Sequence, residues 1–367
     1  MIVTILTSSR ADYGILRPLI SKLDADSFFE LHLVVFGTHN SEFHGNTIRE
    51  IENDQTPVFK KISTPFDGDS PKAISDIIGN TYLEFSKFWA ESNTDLILCL
   101  GDRYEMFAAV GAAVPFNIPI GHISGGEITE GAIDNIYRNS LTLMSTYHFA
   151  SCEVYRENIV RITDINRNAF NVGALNFDNL TSMEFYSKNE FNDTFNIELK
   201  DNTILITLHP ETISFEKNEE YVIALISALE DLSDYRQLIT MPNADTSGVI
   251  IRNKILEYSS STKNTVFIVE SLGWKGYLSA MKHCKFMLGN TSSGFVEASF
   301  FPKKVINLGD RQKGRLVSNN IFNTPITKTD ILKAVQIIES SDISKFSSLY
   351  GDGTASEKIV TILKELN

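Results

Sequence analysis

The sequence predicts an α/β protein built from two doubly wound parallel sheets that face a cleft. Three observations point there. Short apolar, β-branched runs alternate with helical patterns from the first residues onward. The alternation restarts near residue 175. Polar and charged residues gather directly after the apolar runs, and open α/β sheets bind ligands at that end of their strands. A chain of 367 residues also suits two domains, at roughly 100–200 residues each.

In the first half, "IVTILTS" (2–8) reads as a buried strand: it has no internal charge and ends in small polar residues. "YGILRPLISKLD" follows as a helix and "FELHLVVFG" (29–37) as a second strand. A helix-like stretch over 72–92 precedes "TDLILCLGD" (94–102), a third strand. "EMFAAVGAAVPF" is helical, "IPIGHISG" a fourth strand, "AIDNIYRNSLTLMS" a helix and "YHFAS" a short strand. "NVGALNFDNL" (171–180) reads as a connector, followed by a polar, Asn-rich stretch to residue 202. Strands are then expected in "TILITLHPE" (203–211), "RQLITMPNAD" (236–245), "NTVFIVESL" (264–272), "CKFMLGNTSSG" (284–294) and "KKVINLGDR" (303–311). "EEYVIALISALEDL" is an amphipathic helix and "GTASEKIVTILKELN" (353–367) a final one. The expected domains are Rossmann-like, 1–174 and 175–352, with 353–367 packing back on the first.

Composition narrows the function. The hydrophobic fraction is 43%, the charged fraction 22% and the net charge −13. Such an acidic chain is a poor ligand for nucleic acid or an anionic membrane, which need clustered Lys and Arg. An anionic substrate remains open, because a few arginines can invert a local field. Cys99, Cys152 and Cys284 are odd in number and widely spaced, so no disulfide framework or zinc site is expected. The start "MIVTILTSSR" lacks signal-peptide features, and the apolar stretch at "MFAAVGAAVPF" is too short to span a bilayer. A soluble cytoplasmic protein is the expectation.

No G-x-G-x-x-G or G-x-x-x-x-G-K-[ST] run follows a strand. Arg10 stands at the first strand-to-helix turn instead, as an anion contact or a surface arginine in a cap. In "GNTSSGFVEASFF" (289–301), Thr291, Ser292 and Ser293 precede a helix carrying Glu297. Hydroxyls and free amides at a helix start suit a diphosphate, and Glu297 one turn in suits a ribose diol; N-capping is the plainer alternative. Arg311 and Arg315 follow the next strand and strengthen the diphosphate reading. His209 ends the second domain's first strand, facing the expected cleft. In the first domain Asp102 and Glu127 end neighbouring strands, and Asp134 and Arg138 share a helix face at i, i+4, so they are expected to pair. Converging carboxylates repel and give an acid or base usable near neutral pH. A Mg²⁺ site or ordinary caps are the alternatives for the same acids. Glu130 reads as solvated loop, and His122 as strand packing or support.

These pieces resemble the hydrolysing UDP-N-acetylglucosamine 2-epimerases, both the bacterial sialic-acid pathway type and the epimerase half of the bifunctional animal enzyme. The motifs are "SRADYG", "LGDRYE", "HISGGE", "GAIDNIYRNS", "TLHPE", "PNAD", "GNTSSGFVEA", "INLGDRQKGR" and "YGDG", in family order over almost the whole chain. The resemblance implies a glycosyltransferase-B-like fold, usually a homodimer or homotetramer, with a UDP-sugar in the cleft. It places the diphosphate on Thr291 and Ser292, the ribose on Glu297 and the phosphates on Arg10 and Arg311. Asp102 and Asp134 match acid/base positions, and His209 matches an active-site histidine. The implied reaction eliminates UDP to give 2-acetamidoglucal and then adds water, releasing N-acetylmannosamine. It requires no redox cofactor or metal.

Three positions depart from the pattern. Ser124 stands where some relatives have glutamate before the double glycine, which leaves open whether Glu127 takes that place. Gly14 and Ile15 replace serine and lysine of the animal type, and Asn139 replaces a histidine. Similar proteins also act on a UDP-2,4-diacetamido-6-deoxy sugar in legionaminic-acid biosynthesis, and no residue here excludes it. A glycosyltransferase of the same fold and a nucleotide-sugar sensor are the more distant readings.

Overall fold

The structure, a computed structural model, describes residues 1–40, 48–64, 70–128, 133–211, 215–242, 248–343 and 348–366. Contacts divide the chain into two compact units. One comprises Met1–Ile128, Ile133–Ser182 and Tyr350–Asn367, and the bulk of the other is Met183–Leu349.

The first unit carries β1 (Ile2–Thr7), α1 (Arg10–Ala25), β2 (Glu30–Val35), α2 (Ile48–Asn53), β3 (Lys60–Lys61), α3 (Pro71–Glu91), β4 (Leu96–Leu100), α4 (Tyr104–Gly111), β5 (Ile120–Ile123), α5 (Asp134–Met144), β6 (Tyr147–Ala150), α6 (Glu153–Thr163), β7 (Ala169–Asn171) and α7 (Leu175–Ser182). Among the described residues its strands form one parallel sheet in the order β3-β2-β1-β4-β5-β6-β7. The period-2 pleat sends alternate side chains to opposite faces. Val3, Ile5, Leu96 and Leu98 therefore pack with Leu16, Leu19 and Leu23 of α1. Leu6, Ile97 and Cys99 pack on the other face with Phe85 and Trp89 of α3. Each side chain buried this fully contributes roughly 1.5–3 kcal/mol.

α1 shows how local chemistry sets an element. Ser9 is its N-cap and accepts from the Asp12 amide. Pro18 lies inside the helix and cannot donate to the Gly14 carbonyl. Asn179 of α7 supplies the missing donor, Nδ2 to Gly14 O at 2.7 Å.

The second unit carries α8 (Lys188–Phe195), β8 (Thr203–Thr207), α9 (Asn218–Asp231), β9 (Arg236–Thr240), α10 (Gly248–Ser261), β10 (Val266–Val269), α11 (Gly273–His283), β11 (Met287–Gly289), α12 (Glu297–Phe300), β12 (Val305–Leu308), β13 (Ile321–Thr324) and α13 (Lys328–Ser340). Among the described residues its parallel sheet runs β10-β9-β8-β11-β12-β13. Ile204, Ile206, Leu288, Ile306 and Leu308 pack there against Val222, Leu225 and Leu229 of α9.

Some elements differ from the sequence reading. The connector at 171–180 holds the end of β7 and most of α7. The Asn-rich stretch contains α8, opened by a capping box between Ser187 and Glu190. Several strands are shorter than their apolar runs suggest; β11 ends at Gly289. A Cβ on Gly289 would meet the Thr207 carbonyl at 1.9 Å, so this close approach of β11 to β8 requires glycine. Among the described residues no helix is long and apolar enough to cross a membrane.

α14 (Ala355–Glu365) belongs to the first unit, where Ala355, Ile359 and Leu363 are buried in the α1 core. Asp178 of α7 holds its N-terminus, accepting from the Ala355 amide at 2.9 Å and the Ser356 amide at 2.6 Å. Hydrogen bonds to a charged acceptor are worth about 1.5–3 kcal/mol each. Asp178→Ala should therefore lower stability by roughly 3–6 kcal/mol and release α14 first. Hydrogen exchange resolved by segment checks this: α14 amides that stay as protected as those of β4 would show that the carboxylate is not what secures the helix.

Candidate active site

In the first sheet the chain runs outward from β1 through β2 to β3, then returns to begin β4 on the other side of β1. The loops after β1 and β4 therefore diverge, which makes this pair the topological switch point. Asp102 and Arg103 sit in the β4 loop, and Ser8, Ser9 and Arg10 in the β1 turn. Arg10 is the first residue of α1; its side chain lies outside the described residues, as do Glu130 and residues 243–245 of "PNAD".

Asp102 is ion-paired with Arg138, whose side chain is 4% exposed against 27% for Asp102. Helical spacing made Asp134 the expected partner of Arg138. The structure extends the guanidinium to a carboxylate from another strand end. The same guanidinium donates through Nη1 to the Glu127 carbonyl at 2.9 Å. One buried cation thus joins the ends of β4 and β5. Asp134 opens α5, one turn before Arg138, and is partly exposed.

His122 supports this turn from below. Its Nε2 lies 2.8 Å from the Gly101 carbonyl and its Nδ1 3.1 Å from Thr142 Oγ1. A carbonyl only accepts, so Nε2 carries the proton and Nδ1 accepts from the threonine hydroxyl. Burial pushes the His122 pKa down to about 3, so the ring stays neutral and holds the peptide next to Asp102.

The double glycine also fits closely. Gly126 has φ +76°, and a Cβ there would meet the Tyr155 carbonyl at 2.2 Å. Ser124 adopts φ +63°, a region that non-glycine residues rarely occupy away from constrained sites. Glu127 follows, and its Oε1 accepts from Ser151 Oγ at 3.2 Å.

Some residues at the switch point escape sequence reasoning. Asp12 is buried and accepts from the Ser8 amide at 3.0 Å and the Ser8 hydroxyl at 2.6 Å. Burial raises its pKa, opposed by Arg103. Arg103 in turn donates to the buried Glu105 at 2.7 Å. The hydroxyl pattern "TSSRAD" was visible, but the burial of Asp12 depends on strand order.

The second sheet turns in the same way between β8 and β11. His209 follows β8, and Asn290 follows β11. The Asn290 side chain clasps the His209 backbone, accepting from its amide at 2.7 Å and donating to its carbonyl at 2.8 Å. The Asn290 carbonyl accepts from Arg311 Nη1 at 3.3 Å and Gln312 Nε2 at 2.9 Å. Three strand ends are thereby held together. Burial, with the Arg311 charge adding to it, lowers the His209 pKa to about 4, so the imidazole is neutral at pH 7.

Thr291 and Ser293 share a hydroxyl contact of 3.0 Å, and Tyr277 of α11 reaches Ser293 at 2.8 Å. Tyr277 had no sequence signal, since it lies mid-helix. Ser292 is exposed. The sequence placed these hydroxyls at the start of a helix with Glu297 one turn in. Ser292–Gly294 instead form a short 3₁₀ turn, and α12 begins at Glu297 and lasts four residues. Pro302 follows closely and prevents a longer helix. The expected helix N-terminus is therefore replaced by hydroxyls and turn amides, with Arg311 nearby on the Asn290 carbonyl. Glu297 is 8% exposed, and Arg315 is partly exposed. Among the described residues no cluster of three His, Cys, Asp or Glu side chains could hold a metal ion.

The profile of a family described as UDP-N-acetylglucosamine 2-epimerase matches residues 21–364. A Campylobacter jejuni protein named GDP/UDP-N,N'-diacetylbacillosamine 2-epimerase (hydrolyzing) is 32% identical over 94% of this chain and 88% of its own. A Legionella pneumophila protein named UDP-N,N'-diacetylbacillosamine 2-epimerase (hydrolyzing) is 31% identical over 98% and 95%. The crystal structure of a UDP-GlcNAc 2-epimerase from Neisseria meningitidis bound to UDP-GlcNAc superposes with a TM-score of 0.83, covers all of both chains and is 19% identical.

Proposed function

The chain belongs to the UDP-N-acetylglucosamine 2-epimerase family, and on that premise we propose that it is a hydrolysing 2-epimerase of a UDP-linked 2-acetamido sugar. The observation that carries this is the Asp102–Arg138–Glu127 arrangement at the ends of β4 and β5. It sets the Asp102 carboxylate and a buried cation beside a switch point, with the main chain of Glu127 held to the same cation, and so supplies a carboxyl group for proton chemistry at a sugar carbon. The second unit carries its own candidate residues: hydroxyls at Thr291, Ser292 and Ser293, with Arg311, suit a diphosphate, and Glu297 suits the ribose.

The C2 proton of such a sugar is not acidic. A carboxylate removes it only as the C1–O bond breaks. The C2–H electron pair becomes the C1=C2 double bond, and UDP leaves with the C1–O pair. Stabilising that leaving diphosphate is therefore half of the catalysis. Water then adds its hydroxyl to C1, and C2 regains a proton on the opposite face. Asp102, Glu127 and Asp134 handle these protons in our reading, with neutral His209 beside the diphosphate.

The names of the two relatives favour a 2,4-diacetamido-6-deoxy sugar, as in UDP-N,N'-diacetylbacillosamine, for this chain. The family description supports UDP-N-acetylglucosamine, giving N-acetylmannosamine and UDP, as the second reading. NMR of turnover in D₂O with each UDP-sugar tests both. Deuterium should appear at C2 of the released sugar, and kcat/KM ranks the substrates. A released sugar unlabelled at C2 would sink the elimination.

Arg311→Ala should weaken UDP binding by about 10- to 100-fold, the worth of one charge-assisted hydrogen bond. Ser292→Ala should weaken it less. Calorimetry with UDP alone reads this directly; an unchanged Kd in Arg311→Ala would remove that guanidinium from the diphosphate site.

A further inference from the structure

We propose that Ser151 is a positioning residue that aims the Glu127 carboxylate at the C2 proton. This rests on the epimerase reading above. Ser151 directly follows β6 and is 3% exposed. Its hydroxyl donates to Glu127 Oε1 at 3.2 Å.

The backbone at Gly126 and Glu127 is held by other contacts, so this hydroxyl acts on the side chain. Asn158 of α6, 8% exposed, donates through Nδ2 to the Gly126 carbonyl at 3.0 Å. Gly126 lies against the Tyr155 carbonyl, where a Cβ would meet it at 2.2 Å. Arg138 holds the Glu127 carbonyl at 2.9 Å. The backbone of Glu127 is thus anchored from α5 and α6. Its side chain has several rotatable bonds beyond that anchor, and the Ser151 hydroxyl selects among its positions. Glu127 accepts the C2 proton, the C2–H pair forms the C1=C2 bond, and UDP departs with the C1–O pair.

Misplacing a reacting group by about 1 Å costs on the order of 100-fold in rate. Ser151→Ala should therefore lower kcat by roughly 10- to 100-fold, with KM and UDP affinity unchanged. With C2-deuterated UDP-sugar its isotope effect on kcat should exceed that of the wild type, because proton removal has become slower. Ser151→Thr keeps the hydroxyl and should restore both. The double variant Ser151→Ala, Glu127→Gln should be no slower than Glu127→Gln alone, since the serine acts only through the glutamate. A wild-type kcat in Ser151→Ala overturns the proposal. So does a slower Ser151→Ala with an unchanged isotope effect, or an additive double variant. A wild-type protein that puts no deuterium at C2 would overturn the epimerase reading itself, whereas the other failures leave that reading standing.

Discussion

Asp102→Asn should lower kcat by roughly 10³-fold while UDP affinity stays close to that of the wild type. The substitution keeps the shape and removes an ionisable acid/base group. Loss of a positioned acid or base typically costs 10²- to 10⁴-fold. A second effect adds to it. Asp102 neutralises Arg138, whose side chain is only 4% exposed. Asparagine leaves that guanidinium short of its counter-charge, with its Nη1 still on the Glu127 carbonyl. The variant therefore disturbs the β5 loop as well as β4, and Asp134→Asn, at the start of α5, should lower turnover with less structural cost. UDP affinity is the control, because the residues read as its ligands, Arg10 apart, belong to the second unit. Stopped turnover assays and UDP calorimetry on the same preparations separate the two quantities. If affinity falls in step with kcat, the division of roles between the two sheets is wrong.

Much of this site was legible because it follows from strand ends. Asp102, Glu127, His209, Ser292 and Arg311 each come just after an apolar run, and the sheets place those ends at or beside the two switch points. The partners were less legible. Spacing along a helix sees only i, i+3 and i+4 neighbours, so it offers Arg138 the carboxylate of Asp134 and none from another strand end. Its ion pair with Asp102 depends on β4 and β5 being adjacent in the sheet. Ser151 and Tyr277 are ordinary residues in their own segments and acquire significance only through what they touch. The missed elements have local causes. β3 and β7 are two and three residues long, too short for a period to show. α8 did carry a signal, the capping box of Ser187 and Glu190, inside a stretch whose asparagines read as loop. The start of α12 was read a turn too early because the hydroxyls of "NTSSG" resemble a helix cap, whereas Ser292–Gly294 form a 3₁₀ turn and α12 opens at Glu297.

Lowering the pH from 7.5 to 5.5 should destabilise the first unit by roughly 4 kcal/mol, about 1.4 kcal/mol per histidine for each unit below the unfolded value. His39, His122 and His148 are all fully buried there. Burial lowers their pKa values to about 4, 3 and 4, from 6.5. Below pH 6.5 the unfolded chain takes up these protons and the native chain does not. Stability is therefore lost as pH falls through the window from 6.5 to about 4. His209 belongs to the second unit and does not enter this difference. Asp12 acts in the opposite sense: its raised pKa means that acidification favours the native state. A variant isolates the histidine contribution. His148 pairs in register with His122 across β5 and β6, and neither of its ring nitrogens has a hydrogen-bond partner. His148→Met keeps the volume and removes both nitrogens. It should be at least as stable as the wild type at pH 7.5 and lose about a third less stability on acidification. Urea titrations at both pH values measure this. An unchanged difference between the two pH values would show that His148 is protonated as readily in the native sheet as in the unfolded chain.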